Sequence, residues 1–125
     1  MENFFRPKTR KNGDPSVVPE IIDTLLETRE GKLLKVERIQ SWGQATPEGE
    51  WYDQPRDEFV LLLRGEAKLL LLLPPNPTPP PSGGEQGEIL SMREGDYLVI
   101  QAHRKHRVIY TSDDCFWLAL HYDNS

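Results

Sequence analysis

The chain has 125 residues and a formal net charge of −5, with 15 Lys and Arg against 20 Asp and Glu. That length suits one domain able to bury a core, and the acidic balance supplies no broad cationic face, which argues against nucleic-acid and anionic-membrane partners. Cys115 stands alone, so no internal disulfide forms, as suits a reducing cytoplasm.

The N-terminal "MENFFRPKTRKNGDP" has no apolar run of signal-peptide length, so the expected location is cytoplasmic. Residues 1 to about 16 lack periodicity and read as an irregular arm. "PEIIDTLLETREG" pairs Ile21 with Ile22 and Leu25 with Leu26; the spacing suits a short helix, and the same letters suit a strand. Residues 1–31 are therefore expected as an arm with a short helix or strand, and residues 32–125 as one barrel.

"KLLKVERIQSW" alternates, with Leu34, Val36 and Arg38 on one face and Leu33, Lys35, Glu37 and Ile39 on the other, as in a strand. "GQATPEGEWYDQPRD" is a loop. "EFVLLLRGEAKLLLLL" predicts a hairpin turned at Arg64-Gly65-Glu66, with its leucines buried on both faces. The segment is interrupted by Arg64, Gly65, Glu66 and Lys68, and falls short of the roughly 20 apolar residues of a membrane helix. The Pro-rich stretch 74–88 reads as a surface loop. "ILSMREGDYLVIQAHRKHRVIYTSDDCFWLALHY" returns to short strands with turns at Glu94-Gly95-Asp96 and Ser112-Asp113-Asp114. Such spacing predicts an all-β antiparallel sandwich or barrel.

Glu58 followed after six residues by Gly65, then Gly95, five residues, Gln101-Ala102-His103, two residues and His106, resembles the two signature motifs of the cupin superfamily. The resemblance covers roughly residues 33 to 122 and implies a cupin-type jelly-roll β-barrel with an enclosed divalent metal. Carried over by position, Glu58 matches the motif glutamate, Gly65 and Gly95 the two glycines, and His106 the last histidine. The two first-motif histidine positions hold Tyr52 and Gln54 or, at the alternative spacing, Trp51 and Asp53; His103 stands where the Pro-x-Gly turn has its glycine. Homodimerisation through sheet edges is a further implication of the family.

Imidazole and carboxylate donors together suit a first-row divalent ion. The expected metal ligands are His106, Glu58 and His103, completed by Gln54 or Asp53. Strand alternation places His106, Val108 and Tyr110 on one face and sends Arg107 to solvent; His103 joins His106 only if residues 103 to 105 turn. Tyr52, Gln54 and Tyr110 are expected to contact a small polar ligand. His121 reads as a hydrogen-bonded core or surface residue, with a donor at the barrel mouth as the alternative. Glu58 opens an apolar strand, where an unpaired carboxylate costs several kcal/mol to bury. The alternatives are a metal-free barrel for a sugar-like or amino-acid-like ligand and a structural, partner-binding dimer; no phosphate-binding Gly-rich loop or catalytic triad is evident. Cys115, beside Asp113 and Asp114, reads as a strand residue and not a nucleophile.

Overall fold

The computed structural model describes residues 1–72 and 87–123, so most of the Pro-rich stretch lies outside the described residues. Eight strands follow in chain order: β1 (Ile21–Glu27), β2 (Leu33–Ser41), β3 (Asp57–Arg64), β4 (Glu66–Leu72), β5 (Gly87–Arg93), β6 (Tyr97–Ile100), β7 (His106–Thr111) and β8 (Cys115–Tyr122). They form two antiparallel sheets, ordered β1-β2-β8-β3-β6 and β5-β4-β7. The fold is all-β, as expected, and no helix is present among the described residues. Gly87 and Glu88, placed by sequence at the end of the Pro-rich loop, open β5.

The ambiguous segment after Pro19 is a strand: β1 pairs with β2 from Ile21 opposite Gln40 to Glu27 opposite Lys35. Its local pattern suits either element, and the ladder offered by β2 decides.

The predicted hairpin at Gly65 is instead a corner between sheets. β3 pairs with β6 and β8, while β4 pairs with β5 and β7. Gly65 has φ of 94°, and a β-carbon there would stand 2.5 Å from the Asp114 carbonyl oxygen and 2.7 Å from Cys115 Sγ. A side chain is thus excluded both by backbone conformation and by space. Burial alternates along the leucine-rich strands: Val60, Leu62, Leu69 and Leu71 face inward, while Leu61, Leu63, Leu70 and Leu72 are half-buried. The expectation of full burial on both faces fails because each sheet has only one inner side.

Leu62, Ala67, Leu71, Met92, Cys115 and Ala119 pack in the space between the sheets. Cys115 is fully buried, with Sγ 3.2 Å from both Ser112 Oγ and the Glu66 carbonyl oxygen, which fits its reading as a strand residue. The arm crosses the outer face of the larger sheet. Phe5 meets Phe116 edge-on at 5.4 Å, Phe4 lies 6.2 Å from the same ring, and the Arg64 guanidinium sits 4.2 Å over Phe5. Beneath the arm, Arg38 is buried and bonded to Asp23 at 2.7 Å, joining β1 to β2. The even-numbered face of β2 therefore points outward and its odd-numbered face inward, carrying Glu37 into the interior.

Candidate functional site

The interior also holds a cavity of about 90 Å³ whose wall is mostly apolar, with carboxylate, imidazole, amide and phenol groups set into it. The larger sheet contributes Glu37 and Ile39 from β2, Glu58 and Val60 from β3, and Trp117 and His121 from β8. The smaller sheet contributes Leu69, His106 and Val108, and Glu20, Tyr52 and Gln54 come from the connecting segments. Pairing explains the convergence. Glu58 is directly opposite His121 across β3 and β8, and Glu37 is opposite Ala119, one inward-facing step along β8. Cross-strand neighbours on one face approach within reach of each other's side chains.

Glu58 is at the centre. Its Oε2 lies 3.5 Å from His121 Nε2 and its Oε1 3.8 Å from His106 Nε2, and the Gln54 amide hydrogen-bonds it. The residue is 7% exposed. Burial, assisted by the negative charges of Glu37 and Glu20, pushes its pKa above the usual carboxylate range, against the pull of His121. Glu37 Oε1 is 2.6 Å from His121 Nε2, and this hydrogen bond lowers the Glu37 pKa. Glu20 accepts from Ser41 Oγ at 3.0 Å and from the Tyr52 hydroxyl at 3.3 Å, while burial raises its pKa. Burial and the Glu20 charge push the Tyr52 phenol up to about 12.

His106 has a defined tautomer. Its Nδ1 lies 3.0 Å from the Arg104 carbonyl oxygen, an acceptor only, so Nδ1 carries the proton. Burial lowers the pKa of the ring and keeps it neutral, leaving the Nε2 lone pair on the Glu58 side. Tyr52 stacks on the ring at 5.5 Å and exchanges backbone hydrogen bonds with His106, fixing the imidazole from the loop side.

Of the residues singled out from sequence, the structure gathers Glu58, His106, Gln54 and Tyr52 around the cavity. His103 and Asp53 meet outside it: His103 Nδ1 is 3.0 Å from Asp53 Oδ1, with side chains 64% and 42% exposed. The turn expected there exists, and His103 adopts φ of 62° in the glycine position. That left-handed backbone directs its ring to Asp53, away from His106. Tyr110 also lies outside the cavity. The β4–β7 register shifts between Leu69 opposite Val108 and Lys68 opposite Tyr110, so Ile109 is an extra residue and the alternation reverses. Arg107 does not reach open solvent: it is half-buried beside Trp51 and donates to the Thr46 carbonyl.

Glu20 and Glu37 were missed, and His121 was set aside. Glu37 and Ile39 do alternate with Arg38, but a charge on each face of β2 leaves the inner side undecided until β8 is in place.

Glu37, Glu58 and His121 offer one ligand atom each within 4.8 Å of one another. Two carboxylates and an imidazole form an oxygen and nitrogen set suited to Mn, Fe or Zn, and the excess of negative charge in a buried space calls for a cation. The residues therefore fit a divalent ion, with the Nε2 of neutral His106 as an adjoining donor.

No family model matches the sequence, and no curated protein does. Among solved structures, a "putative mannose-6-phosphate isomerase" from Ralstonia eutropha JMP134 is 38% identical, covering 91% of this chain and 99% of that one, with a TM-score of 0.65. A cupin superfamily protein from Desulfitobacterium hafniense DCB-2 is 13% identical over 94% of this chain and 84% of its own, with a TM-score of 0.64. KdgF from Halomonas sp. is 17% identical over 100% and 96%, with a TM-score of 0.63. The identity with the Ralstonia protein, the shared barrel and the four motif positions Glu58, Gly65, Gly95 and His106 agree, and the chain belongs to the cupin superfamily.

Proposed function

We propose that the protein is a small cupin that holds a divalent metal ion on Glu58, His121 and Glu37, with His106 and Gln54 beside it, and receives a small polar ligand in the same cavity. The observation carrying this reading is that Glu58 lies between the two imidazoles. When bound, the ion would polarise a ligand oxygen or lower the pKa of a water. The chain's own part is defined by hydrogen bonds. The Arg104 carbonyl sets the His106 tautomer, Gln54 orients Glu58, and Tyr52 with Glu20 borders the entrance. His103 and Asp53 are left out of the ligand set, because they pair with each other at the surface.

The test is elemental analysis after metal-replete expression. About one ion per chain, lost in Glu58→Gln, is expected. Its absence from the wild-type protein removes the metal.

A metal-free pocket for a small polar molecule is the second reading, favoured by one observation: the 2.6 Å hydrogen bond satisfies His121 Nε2 and Glu37 Oε1 without an ion. The proposal retains a cytoplasmic homodimer, for which the exposed Leu25 and Leu26 of edge strand β1 and Tyr97 and Val99 of edge strand β6 provide apolar surface. Sedimentation at tens of micromolar that gives a monomer refutes the dimer.

A further inference from the structure

The cavity walls carry the carboxylates of Glu20, Glu37 and Glu58 and, among the described residues, no lysine or arginine. The neighbouring cations are committed elsewhere: Arg38 to Asp23 on the outer face, Arg104 to Glu88, and Arg107 to the Thr46 carbonyl. Lys35 touches Glu37 Oε2 at 3.6 Å but does not line the cavity. The polar groups around the acids are already spent on them: His121 Nε2 lies 2.6 Å from Glu37, the Tyr52 hydroxyl donates to Glu20, and the Gln54 amide bonds Glu58. Burial still pushes the pKa values of Glu20 and Glu58 upward, so these contacts do not offset the desolvation of either acid.

The second observation is an idle acceptor. His106 is 6% exposed, and the Arg104 carbonyl fixes its proton on Nδ1, which leaves Nε2 able only to accept. Nε2 makes no hydrogen bond among the described residues; Glu58 Oε1, 3.8 Å away on the cavity wall, is itself an acceptor when ionised. A buried acceptor without a donor is destabilising and uncommon. The partner this wall lacks is therefore one that only donates. An ammonium group has three N–H donors and no acceptor, whereas a hydroxyl brings its one donor together with lone pairs that would face carboxylates.

We infer that the cavity takes a small organic cation, a primary amine whose ammonium group sits among Glu20, Glu58 and His106 Nε2 and whose hydrocarbon part lies on Val60, Leu69 and Val108. This deepens, and rests on, the reading that the cavity is the ligand site. The mostly apolar wall separates an amine from an inorganic monocation, since an alkyl chain gains by burial there and a hydrated ion does not. The space of about 90 Å³ holds on the order of six water-sized groups, which suits an amine of about four carbons. A carboxylate on the ligand would face the same acids, and also Glu50 in an adjoining pocket of about 330 Å³ that shares Glu20, Tyr52 and Val108. An amine is thus taken in preference to the amino acid of the same skeleton. With a divalent ion on Glu37, Glu58 and His121, three ionised carboxylates still leave one negative charge for a monocation.

The experiment titrates the ¹⁵N-labelled full chain, treated with EDTA, in phosphate buffer near neutral pH. Isobutylamine, isobutanol and valine share a branched skeleton and present a cation, a neutral hydroxyl and a zwitterion. Isobutylamine is expected to shift the amide resonances of Tyr52, His106 and His121, and isobutanol and valine to bind at least tenfold more weakly. Glu20→Gln should weaken isobutylamine several-fold, while Glu94→Gln, which alters an exposed acid in the turn between β5 and β6, should leave its affinity unchanged. Equal or tighter binding of isobutanol or valine overturns the inference, as do the same shifts from potassium chloride at equal concentration. An unchanged affinity in Glu20→Gln, an equal loss in Glu94→Gln, or no response to isobutylamine up to about 50 mM, the weak end of measurable affinity, also overturns it. If Glu20→Gln does not fold, the comparison of the three compounds on the wild-type chain decides alone. Because the ion has been removed, the two proposals fail separately. Isobutylamine binding to a chain in which elemental analysis finds no ion leaves the inference standing and removes the metal. One ion per chain with no response to isobutylamine defeats the inference and leaves the metal in place.

Discussion

Replacing Glu58 with the isosteric Gln keeps the shape of the site and removes its central charge. In the wild-type protein a divalent ion at 100 times its dissociation constant stabilises the fold by about 2.7 kcal/mol, which for a domain of this size raises Tm by about 10 °C. Glu58 is the group lying toward both imidazoles, at 3.5 and 3.8 Å. Its loss should weaken the ion on the order of 100-fold, since even residues that only support metal ligands are worth 10–100-fold. At the same metal concentration the stabilisation then falls to about 0.4 kcal/mol, a Tm change of about 2 °C. The metal-free comparison has the opposite sign. Burial raises the folded-state pKa of Glu58 above its ordinary 4.5, so the folded protein binds a proton more tightly than the unfolded chain. Stability from this group is therefore present at low pH and lost as pH rises from about 4.5 through the raised folded value. Metal-free Glu58→Gln escapes this loss and should gain on the wild type as pH rises. Thermal melts of both proteins, with and without Mn²⁺, Fe²⁺ or Zn²⁺ from pH 4 to pH 8, read both effects. An undiminished metal shift in the variant refutes Glu58 as the central ligand.

Gly65→Ala places a β-carbon against Asp114, Ser112 and Cys115 at positive φ, and should destabilise by about 2–5 kcal/mol in chemical denaturation; a change under about 1 kcal/mol contradicts the corner geometry. Leu62→Ala, at a fully buried position, should cost about 2–5 kcal/mol, with the Trp117 indole signal reporting whether the nearby cavity is preserved. Ultraviolet titration of the four tyrosines should show one phenol ionising near 12, absent from Tyr52→Phe; four ionisations near the ordinary 10 count against the Tyr52 contact with Glu20.

The strands β2 to β8 and their turns were largely legible because alternation and glycine placement are local properties. Partner choice was not. Gly65 has the same positive φ in a hairpin or a corner, and the difference lies in which strands accept β3 and β4, set by contacts remote in sequence. The approach of Glu58 to His106 follows motif spacing, whereas the meeting of Glu37 with His121 joins residues 84 apart and has no short-range signal. Tyr110 shows how a single bulge defeats parity: the expected alternation holds through Val108, and Ile109 reverses it. His103 was correctly placed at a turn, but a turn residue at positive φ directs its side chain according to the local backbone, which spacing does not encode.

The arm begins with two phenylalanines seated on the exterior of the larger sheet and ends at Glu20, whose carboxylate borders the interior cavity beside Tyr52. One continuous tether thus connects the rear of the sandwich to its doorway. Anything that pries those rings from Phe116 pulls on the same strap that positions the doorpost.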